Sequence, residues 1–220
     1  RYPTLADLHA IAIALRLAGE SSLARLDAAE QSKKKLVAAG GAGVNPKILE
    51  IVARRFLRNA GDAAGQDDAA AKRWAALGAT TFDQLVAQGG TIPTDAKIPI
   101  AQHYMENKRF DDAARLYAEL TKENPKSRSV LRHAAMVASE RSRPAEAAEY
   151  WSRLAMLLEV ASPPWYDARL QAARSQLAAG KAAESCGNLK EVDGFRPDLR
   201  DAATRQLYAE MSSKACPKSS

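Results

Sequence analysis

The chain has 220 residues, 46% of them hydrophobic and 26% charged but only 6% aromatic, with a mean hydropathy of −0.34. That balance excludes a disordered chain, and no run approaches the roughly 20 apolar residues of a membrane-spanning helix. The net charge of +6 divides evenly, +3 in residues 1–93 and +3 in 94–220. An even spread argues against nucleic-acid binding, which needs several phosphates neutralised together.

Many of the apolar residues are Ala, a composition that favours close-packed helices, and no strand is expected. Punctuation by Gly, Pro, Asn and Asp predicts about twelve helices in series. The first covers 4–18, with Thr4 as N-cap and Gly19 at its end. The second covers 21–39 and ends in Gly40-Gly41-Ala42-Gly43. The third, 46–60, opens on Asn45-Pro46, a cap followed by a first-turn proline. A fourth, 67–78, starts at Asp67-Asp68 and is closed by Gly78, and a short one, 82–88, follows Thr81. After a Gly-rich break at 89–94 come helices at 95–107, 110–123, 127–140, 144–159, 164–179, 182–193 and 198–214. The loops between them are short, which makes neighbouring helices antiparallel.

Two stretches of this series echo each other. Residues 109–120 read RFDDAARLYAEL, and residues 143–154 read RPAEAAEYWSRL. Ala113, Ala114, Tyr117 and Leu120 map onto Ala147, Ala148, Trp151 and Leu154 at one constant offset. The preceding helices match at the same offset, Ala101 with Ala135. Ala173, Ser185, Leu189, Val192 and Pro197 follow their counterparts at a slightly longer offset, the extra residues falling in the loop 159–164. Small residues let two helices approach, Tyr117 or Trp151 fills the gap to the next pair, and Pro125 and Pro197 stop a helix so that the chain turns.

This pattern resembles the tetratricopeptide repeat (TPR), a 34-residue helix–turn–helix unit whose length equals the constant offset. The chain departs from it where Leu120 and Leu154 replace a small residue and where Ala138 stands at the Tyr104 position. The resemblance implies an all-α fold, a right-handed α-solenoid of antiparallel helix pairs. It places three repeats at 94–127, 128–161 and 166–197, a capping helix at 198–214 and a tail at 215–220. Degenerate copies are expected in 1–93. Ala53 and Phe56 match Ala101 and Tyr104, and Ala70, Trp74 and Leu77 match Ala113, Tyr117 and Leu120. The first hairpin fits less well, at Ala12, Leu15, Gly19 and Ala24.

No catalytic pattern emerges. The Gly-rich stretch 38–46 follows a helix rather than a strand, so it reads as a loop and not as a dinucleotide fingerprint. His9, His103 and His133 lack a second ligand four residues on, so no helical metal pair forms. Asp67-Asp68 and Asp111-Asp112 lie at helix starts, where they complement the helix dipole. Lys33-Lys34-Lys35 reads as a solvated face. The aromatic residues read as packing between hairpins, with Trp165 and Tyr166, after Pro163-Pro164, partly exposed. No enzyme activity, cofactor or metal is expected.

The TPR resemblance directs attention to the first helix of each pair, whose exposed face lines a binding groove. The groove positions are Glu50, Arg54, Leu57 and Arg58, then Ile98, Gln102, Met105 and Glu106. They continue at Arg132, Met136, Ser139 and Glu140, and at Asp167, Leu170, Arg174 and Leu177. Arginine suits bidentate capture of carboxylates. The Lys/Asn clamp of chaperone-binding TPR proteins is not reproduced. The expected function is a non-enzymatic scaffold that binds a protein or peptide. The alternative is an accessory helical domain of a larger exported enzyme or cell-envelope assembly.

Cys186 and Cys216 sit toward the same end of an antiparallel helix pair, so a disulfide between them is expected. Such bridges persist in oxidising compartments, which points to a periplasmic or extracellular chain. Residue 1 is Arg rather than Met and no signal-peptide pattern is visible, as expected of either a processed or a trimmed chain.

Overall fold

Asn45 begins a helix because its side chain accepts a hydrogen bond from Lys47 N at 2.9 Å, while Pro46 supplies the first helical φ. Asp67 does the same for the next helix, accepting from Ala70 N at 2.9 Å. Such local signals recur along the computed structural model of the chain, which describes residues 5–16, 23–38, 44–195 and 202–216. Among these residues the regular elements are all helices. They are α1 (Leu5–Arg16), α2 (Leu23–Ala38), α3 (Pro46–Ala63), α4 (Asp68–Ala87), α5 (Thr94–Glu106), α6 (Phe110–Glu123), α7 (Arg128–Glu140), α8 (Pro144–Ala155), α9 (Pro163–Ala178), α10 (Ala182–Gly194) and α11 (Ala202–Ala215).

The chain forms two compact units, Arg1–Arg109 and Phe110–Ser220. In the first, α1 pairs with α2 and α3 with α4, and α5 packs on α4 and α3. In the second, α6 packs on α7, α7 pairs with α8 and α9 with α10, and α11 lies against α10 and α9.

The repeat positions form the cores. Ala53, Phe56, Ala70, Trp74, Leu77, Ala101 and Tyr104 are buried in the first unit, with the Phe56 and Trp74 rings 5.7 Å apart. Ala113, Tyr117, Leu120, Ala135, Ala147, Trp151, Leu154, Ala173, Leu189 and Val192 are buried in the second. Ser185, where the other repeats carry Ala, is also fully buried. Its hydroxyl is satisfied by donating to Ala173 O at 2.8 Å. Thr4, Gly19, the Gly40–Gly43 loop and Pro197 lie outside the described residues, as do the side chains of Leu15 and Ala24.

Several boundaries differ from expectation. The segments 67–78 and 82–88 are one helix, α4. Gly78 is not a stop, because it marks a close approach of α3. A Cβ added there would lie 2.6 Å from Leu57 Cδ2. Thr81 caps nothing and instead donates to Leu77 O at 2.6 Å from mid-helix. α8 ends at Ala155, short of 159. In the first hairpin Ala10 and Ile13 are buried and Ala12 is exposed, so the apolar face is set two positions away from the expected register. Trp165 is buried, at 1% exposure, because the prolines start α9 and turn its ring onto the core.

A turn shared by the repeats accompanies the shared core. Lys108, Ser142 and Gly180 have φ of 57°, 54° and 76°, and the intervals between them are those that separate the core positions. After each, the chain doubles back to a carbonyl five residues earlier: Arg109 N to Tyr104 O, Arg143 N to Ala138 O and Lys181 N to Gln176 O, at 2.8, 2.9 and 2.8 Å. This is the Schellman closure of a helix end. Only the third copy uses glycine, so Ser142 holds a left-handed conformation that L side chains adopt at a cost. Ser142→Gly is expected to stabilise the chain by about 0.5–1 kcal/mol, measured as a higher urea midpoint.

Candidate functional site

In the second unit the first helices α7 and α9 bring the sequence-derived groove positions together at two open clefts. One, of about 560 Å³, is lined by Ser139, Glu140 and Ser142 from α7 and its turn, by Pro144, and by Gln171, Arg174, Ser175 and Ala178 from α9. The other, of about 420 Å³, is lined by Arg132 of α7, by Pro163, Pro164, Tyr166, Asp167 and Leu170 of α9, and by Thr204 and Leu207 of α11. Met136, one turn beyond Arg132, is 41% exposed. Leu170 is only 2% exposed and forms floor rather than rim. Leu177 packs against the core and lines neither cleft.

The charges in these clefts make no close ion pair among the described residues, although Arg174 acts electrostatically on Glu210 of α11. Each cleft holds one arginine and one carboxylate, Arg132 with Asp167 and Arg174 with Glu140. Among the described residues none of the four makes an ion pair. Elsewhere in the unit Arg115 pairs with Asp112, Arg141 with Asp111 and Glu146, Arg153 with Glu149, and Arg169 with Glu191. Arg128 and Arg143 are also unpaired among the described residues but line neither cleft. His133 stacks on Tyr117, with ring centroids 5.7 Å apart and planes 5° from parallel, and its Nδ1 lies 2.8 Å from Ser129 O.

The corresponding face of the first unit is built differently. Arg54 bonds Glu50 at 3.0 Å and Asp95 at 2.7 Å, an ion pair that ties α3 to α5. Leu57 packs toward Gly78 of α4. Arg58, Gln102 and Glu106 are exposed and Met105 is half-buried, while Ile51 and Ile98 are 59% and 37% exposed. Arg54 is thus partly structural, which its spacing could not show because Asp95 lies 41 residues away in sequence.

Two polar features of the first unit have no signal in the sequence pattern. Burial alone would raise the Asp83 carboxyl, but hydrogen bonds from Arg109 and Tyr104 hold it below its ordinary value. Arg109 bonds both oxygens, at 2.7 and 3.2 Å, and its guanidinium lies 4.1 Å above the Tyr104 ring. The other feature is Lys33, which is buried at 8% exposure, against the reading of residues 33–35 as a solvated face; Lys34 and Lys35 are exposed. The Lys33 amine donates to Leu77 O at 3.2 Å, to Thr81 Oγ1 at 3.0 Å and to Thr80 Oγ1. A run of three lysines signals solvation on average; only the helical period, which turns one of three adjacent residues inward, could have marked Lys33.

Burial lowers the Lys33 pKa from 10.5 to about 8, with Asp83 partly opposing. The unfolded amine keeps its proton to a higher pH than the folded one. Folding is therefore penalised below pH 8, and the penalty is relieved as pH rises from about 8 to 10.5. Glu30 and Lys34 on α2 and Arg73 on α4 line the cleft beside this amine, and Asp83 on α4 acts on it electrostatically. Lys33→Met is expected to be more stable than the parent at pH 7, by up to about 3 kcal/mol. The difference should shrink toward pH 10.5, checked by urea unfolding across that range.

Cys186 and Cys216 form a disulfide, with Cα atoms 5.1 Å apart, joining α10 to the end of α11. Among the described residues no helix is long and apolar enough to cross a membrane, and no group of three or more His, Cys, Asp or Glu is placed to hold a metal.

Helix pairs in series, a small-residue and aromatic core that recurs at a fixed interval, and a repeated Schellman turn define an all-α, TPR-like helical-repeat fold. No family model matches the sequence, and no curated protein matches it. Solved structures do match in fold. MamA AMB-1 P212121 aligns over 91% of this chain and 98% of its own, with TM-score 0.52 and 13% identity. MamA MSR-1 C2 aligns over 76% and 87%, with TM-score 0.51 and 13% identity. More distant is a Podosopora anserina putative kinesin light chain with nearly identical TPR-like repeats, at TM-score 0.43 and 14% identity over 96% of this chain and 98% of its own.

Proposed function

We propose that the chain is a non-enzymatic protein–protein interaction scaffold that binds a protein or peptide along the first helices of its repeats, chiefly at the α7–α9 clefts. The observation that supports this most is the set of four charges that make no ion pair among the described residues, Arg132, Glu140, Asp167 and Arg174, beside the exposed Met136. A surface whose arginines and carboxylates face shared clefts without pairing is prepared to pair with a partner, whereas a merely solvating surface has no reason to confine them there. The cleft charges sum to zero, so the partner carries both signs and salt sensitivity is modest. The Cys186–Cys216 bridge favours an oxidising, exported setting.

The test is the double charge reversal Arg132→Glu with Arg174→Glu, assayed by affinity capture from the native source. Partner recovery is expected to fall about ten-fold or more with the helical circular dichroism unchanged. Unchanged recovery would remove these clefts from the binding surface. Arg54 is a poor target for the same experiment, because its reversal also breaks the α3–α5 ion pair.

A further inference from the structure

The second helices of the first unit carry a site of a different kind. α2 and α4 are the second helices of their hairpins, and between them opens a cleft of about 490 Å³ lined by Glu30, Lys33, Lys34, Arg73, Ala76, Leu77 and Thr80. We propose that this cleft binds a small amphipathic monocarboxylate, an acyl chain ending in a carboxylate, with the chain on Ala76 and Leu77 and the head group toward Lys33 and Lys34.

The case begins with the buried amine. Thr81 Oγ1 donates its proton to Leu77 O at 2.6 Å, and Thr80 Oγ1 donates to Ala76 O at 2.8 Å. Neither hydroxyl has a proton left for Lys33, so the amine is the donor to both, and to Leu77 O as well. Three donated bonds describe an ammonium. Yet its acceptors are all neutral, and among the described residues no carboxylate lies within ion-pair distance. A cation 8% exposed whose opposing charge, Asp83, lies beyond ion-pair distance and is already hydrogen-bonded by Arg109 and Tyr104 is an expensive arrangement that a bound anion would relieve.

The surroundings narrow the class of anion. Arg73 is neutralised by Asp27 at 2.6 Å and Glu30 at 2.9 Å. Lys34 makes no ion pair among the described residues; because Arg73 faces two carboxylates, the cluster with Lys33 and Lys34 keeps one net positive charge. One or two cations suit a single carboxylate rather than a polyanion. Besides Glu30, held by Arg73, and Thr80, the rest of the lining is Ala76, Leu77 and the aliphatic stems of the lysines and Arg73. A cleft of this size, mostly apolar with a few polar groups to orient the ligand, is in the range of small-molecule sites and has room for one short acyl chain.

Calorimetric titration of the whole protein with decanoate, below its micelle concentration, tests the proposal. Saturable 1:1 binding is expected, weakened about ten-fold or more in Lys33→Met, whose side chain retains the apolar bulk. Decanol, which has the chain without the charge, and acetate, which has the charge without the chain, should each bind at least about ten-fold more weakly. Lys34→Ala, at an exposed position, should weaken decanoate without altering the unfolding transition. Absence of saturable decanoate binding, equal binding by Lys33→Met, or decanol binding as tight as decanoate would each overturn the assignment. None of these outcomes bears on the α7–α9 clefts, which fail or stand by the capture experiment alone.

Discussion

Truncation of Trp165 to alanine is expected to destabilise the chain by about 3–5 kcal/mol, seen as a fall in the urea midpoint with little change in the far-UV spectrum of the folded state. Trp165 is 1% exposed and belongs to the core of the second unit. Its ring meets Tyr166 edge-on at 5.1 Å and Phe195 at 5.7 Å, and the Arg169 guanidinium lies 5.4 Å from its centroid. Alanine removes the apolar area, both ring contacts and the cation–π contact together, and leaves a cavity at the start of α9. Phe at the same position keeps much of the packing and should cost well under half as much. A loss below about 1 kcal/mol for alanine would mean that the ring is solvated in solution.

Removal of the Cys186–Cys216 bridge, by reduction or by the double substitution to alanine, is expected to cost about 3–4 kcal/mol, the chain-entropy value for a closed loop of this length. The bridge spans a sequence separation of 30. Its effect should concentrate on α11, whose buried side chains among those described are only Met211 and Ala215, with Leu207 and Tyr208 partly buried against the same core. So few anchors leave α11 dependent on the covalent tie. Hydrogen exchange should accelerate in 202–215 on reduction, and reductant should lower the unfolding midpoint of the parent but not of the double variant. A reductant-insensitive parent would show that the thiols are free.

Both expectations rest on residues that the sequence displays with different clarity. The echo of Ala113-Tyr117-Leu120 in Ala147-Trp151-Leu154 is legible because one hairpin solves one packing problem, and the next hairpin meets the same problem again. The cysteine pair is legible for a related reason: two antiparallel helices of known length put their ends together. Gly78 misleads a local reading. A glycine within a helical pattern signals either a stop or a close approach, and only the position of Leu57 on α3 decides between them.

The groove residues divide along the same line. Their placement on first helices is what the TPR resemblance implies, and Arg132, Ser139, Glu140, Asp167 and Arg174 line two clefts in the second unit. Which of them hold their charge in reserve could not be read from spacing. Arg54 and Arg174 occupy equivalent positions, yet Arg54 is spent on Asp95 while Arg174 makes no ion pair among the described residues.

By itself the sequence determined the helical class, the repeat interval and most core positions. These depend on local period and composition, which any short window carries. The tertiary structure alone decided the continuity of α4, the burial of Trp165, the ion pairing of Arg54 and the enclosure of Lys33 by Leu77, Thr80 and Thr81. Each of these turns on contacts between residues far apart in the chain, and a side chain's partner across such a distance is set by how whole helices pack, not by its neighbours in sequence.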